Sequence, residues 1–221
     1  ALQLEEAAHH ERLEALRVEL QQATEAQQCA QGEVQRLSGR IASLEALQQA
    51  ALNPGQGVAD WLKSQLLERQ PRLADGLRVH PGWELAVETV LGADLQAVLL
   101  EDFDGCNLTA FGQGDLRLFS PVEATPRVAG SLLELVESPL DLAPWLGRVR
   151  PVETLDDALM QRSRLQDGES LISRDGYWVG RHFLRVRRAG EAESGVLARA
   201  QELEALLGER DKHAAELDVL E

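Results

Sequence analysis

The apolar residues near the amino terminus step by three and four without a slip: Leu13, Leu16, Leu20, Ala23, then Ala30, Val34, Leu37, Ile41, Leu44 and Ala51. A stripe this narrow marks a long helix with a coiled-coil seam, unstable until a second helix covers it. Gln27 and Gln48 take seam positions in the same register, and the remaining faces carry Glu, Gln and Arg, as the solvated faces of a two-stranded coil do. Gly32 costs roughly 1 kcal/mol relative to alanine, too little to break the pattern. Asn53-Pro54-Gly55 then stops the helix, because proline disfavours helical geometry in the residue before it and glycine turns the chain readily.

A second helical stretch begins near Ser194, a candidate N-cap, and runs through Val196, Leu203, Leu206, Leu217 and Leu220. Its register is looser, since Arg199, Arg210 and His213 fall where a heptad asks for apolar residues. Residues 53 to 190 lie between the two stretches. The stretches can pair within one chain only if that intervening part returns the chain to where it left, which makes the coil antiparallel and the middle a cap. The alternative is that each stretch pairs with its own copy in a second chain as a parallel dimer.

Charge narrows the choice of partners. The chain of 221 residues has a formal charge of -15, distributed as -4 over residues 1 to 52 (4 basic, 8 acidic), -5 over residues 53 to 190 (15 basic, 20 acidic) and -6 over the remainder (3 basic, 9 acidic). Such a field repels a polyanion, so broad, tight DNA binding is not expected. Cys29 and Cys106 offer neither CxxC spacing nor a disulfide framework, so no metal site and no secreted scaffold is expected. No run of about 18 apolar residues and no basic-then-apolar amino terminus occurs, which predicts a cytoplasmic protein without a membrane partner. The chain begins with Ala1 and its only methionine is Met160, which reads as a piece of a longer protein; removal of an initiator methionine is the alternative.

The middle reads as two small α/β lobes, residues 53 to 125 and 126 to 190, with arms at residues 1 to 52 and 191 to 221. The first lobe carries a helix over 58–70, a strand at 77–80, a helix over 83–91 stopped by Gly92, and strands at 95–100 and 116–119, before a loop containing Pro126. In the second, residues 131–136 precede a short helix at 140–146, a strand at 148–152 and a helix over 155–165. Thr154 with Asp156 and Asp157 supplies that helix with an N-cap and acidic first turn. Strands at 170–173, 177–179 and 182–187 follow, the last two forming a hairpin about Gly180.

An α/β domain of this kind between two antiparallel arms resembles the hinge of SMC (structural maintenance of chromosomes) proteins. The local sequence is similar too. Trp83-Glu84-Leu85-Ala86-Val87-Glu88-Thr89-Val90-Leu91-Gly92 looks like the hinge segment in which an aromatic precedes an AxE helix ending in LG. Gly130-Ser131-Leu132-Leu133-Glu134-Leu135-Val136 resembles the start of the second subdomain. Residues 149–158 (VRPVETLDDA) and 171–176 (LISRDG) resemble the strands and acidic helix start that follow, in the family's order. One departure is visible: where hinges of the family carry a Gly-Gly pair, residues 176–188 have none.

The resemblance implies a homodimer through the hinge of a bacterial chromosome condensation and segregation ATPase, nucleoid-associated in the cytoplasm, with two long arms around DNA and the other subunits bound elsewhere on the parent. It implies that two hinges join the first lobe of one copy to the second lobe of the other. Exposed strand edges warrant this independently. The candidate interface residues are Asp115, Arg117, Phe119, Gly176, Tyr177, Trp178, Gly180 and Phe183. Two other functions remain open: a coiled-coil adaptor whose middle domain binds a protein, and a weak single-strand DNA module using Arg181, Arg185, Arg187 and Arg188 with Trp178 and Phe183 among them.

No catalytic residue, cofactor or metal ligand is assigned. There is no GxxxxGK[ST] loop in the chain, so ATP binding is expected in the parent outside residues 1 to 221. Gly55-Gln56-Gly57 and Gly112-Gln113-Gly114 read as turns. Cys106 with His80 or His182 lacks the surroundings of an activated thiol, and His9, His10 and His213 sit on the arms.

Overall fold

A computed structural model of the chain describes residues 2–53, 55–120, 128–187 and 195–220. The expected cap at Ser194 and the loop at Pro126 lie outside the described residues. The chain divides into two compact units, Ala1–Glu45 with Glu202–Glu221, and Ala46–Gln201.

The first unit is a helical pair. Helix α1 (Leu2–Ala51) is continuous through Gly32, and the returning helix α6 (Val196–Leu220) packs against it in the same chain. Leu37 and Ile41 bury themselves against Leu206, with Leu44, Leu203 and Leu207 alongside, and Arg40 pairs with Glu202. Earlier residues of α1 meet later residues of α6, so the pair is antiparallel as the seam required. Arg210 and His213 are half-buried on the seam they were expected to interrupt. Helix α1 has 50 residues and α6 has 25 among the described residues, and Leu13, Leu16 and Leu20 of α1 are exposed.

In the second unit, α2 (Gln56–Ser64) presents Val58, Trp61 and Leu62 to a small core with Val98 and Leu100. It stops well before Gln70. The Leu67 N–H donates to the Leu62 carbonyl and the Leu66 N–H to that of Lys63, at 2.8 and 3.1 Å, a Schellman closure in which Leu66 takes the left-handed conformation at φ 59. Strand β1 (Arg78–Val79) leads to α3 (Glu84–Leu91), whose last six residues are all buried. The expected strand at 95–100 is shortened to β2 (Val98–Leu99), because Gly92–Gln96 close into a 3₁₀ turn. Strand β2 runs parallel to β3 (Leu118–Phe119), pairing Val98 with Leu118 and Leu99 with Phe119.

Strand β4 (Val136–Glu137) follows a 3₁₀ turn at Leu132–Leu135 and pairs antiparallel with β1, stitching the two halves of the unit together. Next come α4 (Ala143–Leu146), β5 (Val149–Val152) and α5 (Leu155–Gln161). Helix α5 begins as expected: the Thr154 hydroxyl accepts the Asp157 N–H at 3.2 Å while the Asp157 carboxylate accepts the Thr154 N–H at 3.3 Å. Strands β6 (Ser170–Ser173), β7 (Tyr177–Gly180) and β8 (Leu184–Val186) complete a four-stranded sheet in the order β5-β6-β7-β8, parallel at its first junction and antiparallel after it.

Alternation along these strands sends side chains to two different cores. Leu171 and Val179 face α5, meeting Ala158 and Leu165. Ile172 and Trp178 face the other way, into the largest core, built from α3, α4, residues 73–97 and 132–149, and also Val196 and Leu197 with Ala51 and Leu52 beside them. The main core therefore includes the roots of both long helices.

Leu66 is 88% exposed and held at a positive φ, which costs an L-residue roughly 1–2 kcal/mol. Leu66→Gly is expected to raise stability by about 1 kcal/mol in urea denaturation followed by circular dichroism, whereas Leu66→Val lowers it.

Candidate association edges and the root of the returning helix

The hairpin of β7 and β8 turns through Arg181 and His182, with the Gly180 N–H donating to the Phe183 carbonyl at 2.9 Å. That bond fixes the phase of the ladder. Residues 180 and 183 form a hydrogen-bonded pair, so the pairs Val179–Leu184 and Tyr177–Val186 are non-bonded ones, and the peptide groups of Leu184 and Val186 point away from β7. Among the described residues no strand lies on that side. Leu184 and Val186 are 52% and 38% exposed.

The sequence-derived interface residues of this segment divide by position. Phe183 is exposed, its ring edge-on to Trp178 at 5.4 Å, and Tyr177 is half-buried. Trp178 packs on the main core and donates its indole N–H to the Ser170 hydroxyl at 2.8 Å. Gly176 and Gly180, by contrast, are buried inside the chain. At Gly176, φ is 76 and a Cβ would press on Thr89 and Leu85; at Gly180 a Cβ would overlap the Phe183 ring. Both glycines shape the hairpin from within, so neither is a free contact for another molecule.

The second edge is β3. Its inner side serves β2, with the Val98 N–H donating to the Arg117 carbonyl and the Leu100 N–H to that of Phe119, both at 2.9 Å. No described strand covers its outer side. Phe119 stacks at 5.0 Å on Trp145 of α4, a residue the sequence reading passed over. Its signal was the phase of the short helix: Leu142 and Leu146 are buried one turn apart, which leaves Trp145 outward. Arg117 lies between Asp94 and Asp115, its Nε 3.2 Å from the Asp115 carboxylate. The hydrogen bond from Arg117 holds the Asp115 carboxyl below its usual range and raises the Arg117 guanidinium in turn.

The arginine cluster is occupied internally. Arg181 pairs with Asp167 at 3.1 Å, Arg185 lies over the Trp178 ring at 6.0 Å, and Arg187 donates to the Glu88 carbonyl at 2.9 Å. Alternation explains the last two, since residues 185 and 187 share the sheet face toward α3 while Leu184 and Val186 take the other. Arg188 lies outside the described residues.

Glu88 is the residue that sequence reasoning missed as functional, although it lies in the AxE motif. Its side chain is 1% exposed, and its two carboxylate oxygens accept the N–H groups of Gly195 at 3.1 Å and Leu197 at 2.8 Å, at the start of α6. Gln48 donates to the Val196 carbonyl at 3.1 Å and accepts from Arg199 at 3.3 Å, and Gln201 donates to the Val79 carbonyl at 2.8 Å. The root of α6 is thus tied to α1, α3 and β1.

Residues 68–162 match the family model described as the flexible hinge domain of SMC proteins. The chain carries an SMC hinge domain. It is 38% identical over 182 residues to the chromosome partition protein Smc of Coxiella burnetii, covering 77% of this chain and 16% of that protein. The Smc of Burkholderia pseudomallei is 31% identical over 210 residues, covering 89% of this chain and 18% of that one. The chain therefore spans under a fifth of the length of these curated relatives. Its fold is that of a Geobacillus stearothermophilus SMC hinge solved as an asymmetric dimer, with a TM-score of 0.67, 22% identity and 94% coverage of both chains. Among the described residues no group of three or more His, Cys, Asp or Glu is placed to hold a metal ion, and no helix is long and apolar enough to cross a membrane.

The acid behaviour of the β3 edge follows from the Asp115 shift. A carboxyl depressed in the folded state contributes stability that is present above its unfolded pKa and lost as pH falls through its folded value. An NMR titration is expected to place the Asp115 midpoint below that of an ordinary aspartate and to raise it toward the ordinary value in Arg117→Ala; an unchanged midpoint in that variant contradicts the pairing.

Proposed function

We propose that this hinge joins two copies of the chain, the outward side of β8 in one copy pairing with the outward side of β3 in the other, twice over about a two-fold axis. The observation that carries the proposal is the open β8 ladder, whose outward peptide groups belong to two exposed apolar residues, Leu184 and Val186. A two-fold arrangement covers the β8 edge and the β3 edge of both copies. Phe119 and Trp145 flank one edge and Phe183 the other, giving each junction aromatic surface to bury. The dimeric state of the Geobacillus stearothermophilus hinge is consistent with this.

On this reading the whole protein is a bacterial chromosome organiser of the Smc kind, in the cytoplasm with the nucleoid, whose arms continue beyond the residues described. Its ATP site and the contacts with other subunits lie elsewhere on the parent. DNA contact by this piece is at most weak and salt-sensitive, because Arg181, Arg185 and Arg187 already have partners in the fold.

Proline at 186 removes an outward N–H without taking a bond from β7. Light scattering on residues 1 to 221 across a concentration series is expected to show a dimer that Val186→Pro weakens about thirtyfold, two junctions each losing about 1 kcal/mol. Met160→Lys, on the exposed side of α5, is expected to leave the mass unchanged. A dimer indifferent to Val186→Pro places association in the arms and favours the adaptor function.

A further inference from the structure

Glu88 lies where two parts of the molecule meet. Its flanking residues Val87, Val90 and Leu91 belong to the main core, and an ionised carboxylate in such surroundings is costly unless its oxygens are satisfied. Both are satisfied by one structure, the first turn of α6, whose leading N–H groups have no partner within the helix and whose positive end favours a negative charge.

The backbone of the same residue faces the association edge. The Glu88 carbonyl accepts the Gly92 N–H at the end of α3 and also the Arg187 guanidinium, one residue beyond β8. Arg185 leans the same way, its guanidinium 3.8 Å from where a Cβ on Gly92 would lie. Two cations thus gather at the negative end of α3, a favourable place for them. One residue of α3 is held at its carbonyl by the end of β8 and, at its carboxylate, holds the start of the returning arm.

We infer that Glu88 is a positioning residue that couples the β8 edge to the root of the C-terminal arm. When β8 is fixed by pairing with a second copy, Arg187 is fixed with it, α3 is held from one side, and the cap on Gly195 and Leu197 opens less often. The coupling rests on the proposed pairing of β8; the capping role of Glu88 stands apart from it. By linkage, whatever loosens the cap also changes how the edge is held.

Residue-resolved amide hydrogen exchange on the full chain tests both parts, because local opening is read at individual amides. In Glu88→Gln, which keeps the shape and removes the charge, exchange at Gly195 and Leu197 is expected to rise about tenfold, as loss of a charge-assisted hydrogen bond implies. The Leu100 amide, in the separate α2 core, is expected to stay the same, and Glu88→Asp to fall between. In the wild type, exchange at the two cap amides is expected to slow as concentration is raised through the dimerisation range. Arg187→Ala, with dimer formation checked by light scattering, is expected to remove that dependence.

Unchanged exchange at Gly195 and Leu197 in Glu88→Gln overturns the capping role. A concentration dependence that survives in an Arg187→Ala dimer overturns the coupling. If light scattering finds no wild-type dimer, the association proposal and the coupling fall together, while the comparison of Glu88→Gln with wild type still decides the cap.

Discussion

A helix whose apolar stripe is two residues in seven cannot stand alone, and the helix that covers it here begins only after the whole middle of the chain has been traversed. The fold must therefore bring the chain back to the side of its own departing helix. It does so by making both roots part of one core. Ala51 and Leu52 at the end of α1, and Val196 and Leu197 at the start of α6, pack with the residues of α3 and α4, so forming the domain and returning the chain are one event. Polar contacts then specify how the return is made, because backbone groups at a buried helix start must find partners. Gln48 and Glu88 occupy that role at the start of α6, and Gln201 of α6 reaches the Val79 carbonyl of β1.

The same economy of sheet leaves edges. Natural proteins blunt exposed strands with charge, proline or bulges. Strand β8 holds one charge, Arg185, and alternation turns it inward over Trp178. What remains on the outer face is Leu184 and Val186, an unprotected edge in a chain whose composition is otherwise strongly acidic. Beside β3, Arg117 is paired with Asp94 and Asp115, and Phe119 is backed by Trp145. Neither edge carries the features that would keep another strand away, which is the physical content of reading them as a pair.

The parts legible in the sequence were those whose signals are local. The seam through Leu37 and Ile41, the N-cap at Thr154 and the hairpin after Tyr177 depend on residues a few positions apart, and each is present, the hairpin turning at Arg181 and His182 rather than at Gly180. The end of α2 is not legible in the sequence because Leu66 adopts a conformation that normally selects glycine, so no residue announces the stop. Glu88 stands inside a motif that gives it no role, since its partners lie 107 and 109 residues away and nothing in the motif's spacing points to them. Gly176 and Gly180 read in the sequence like interface glycines, yet their need for space is internal, a distinction that depends on what a Cβ would meet.

The arms raise a last question of register, and their own seam is a poor answer to it. Ala23 and Ala30 contribute little area, and α6 places Arg210 and His213 where apolar residues would discriminate one alignment from the next. The root is more exacting. Gln48 is buried on the α1 seam and bonds both the Val196 carbonyl and Arg199, so a slip of one heptad would strand a buried amide and a buried carbonyl at about 1–3 kcal/mol each. A single polar residue at a seam position is an effective way to fix alignment at some expense of stability. Within the unit that holds both roots, Gln48 therefore discriminates one register of α1 against the start of α6 where the small and charged seam residues do not.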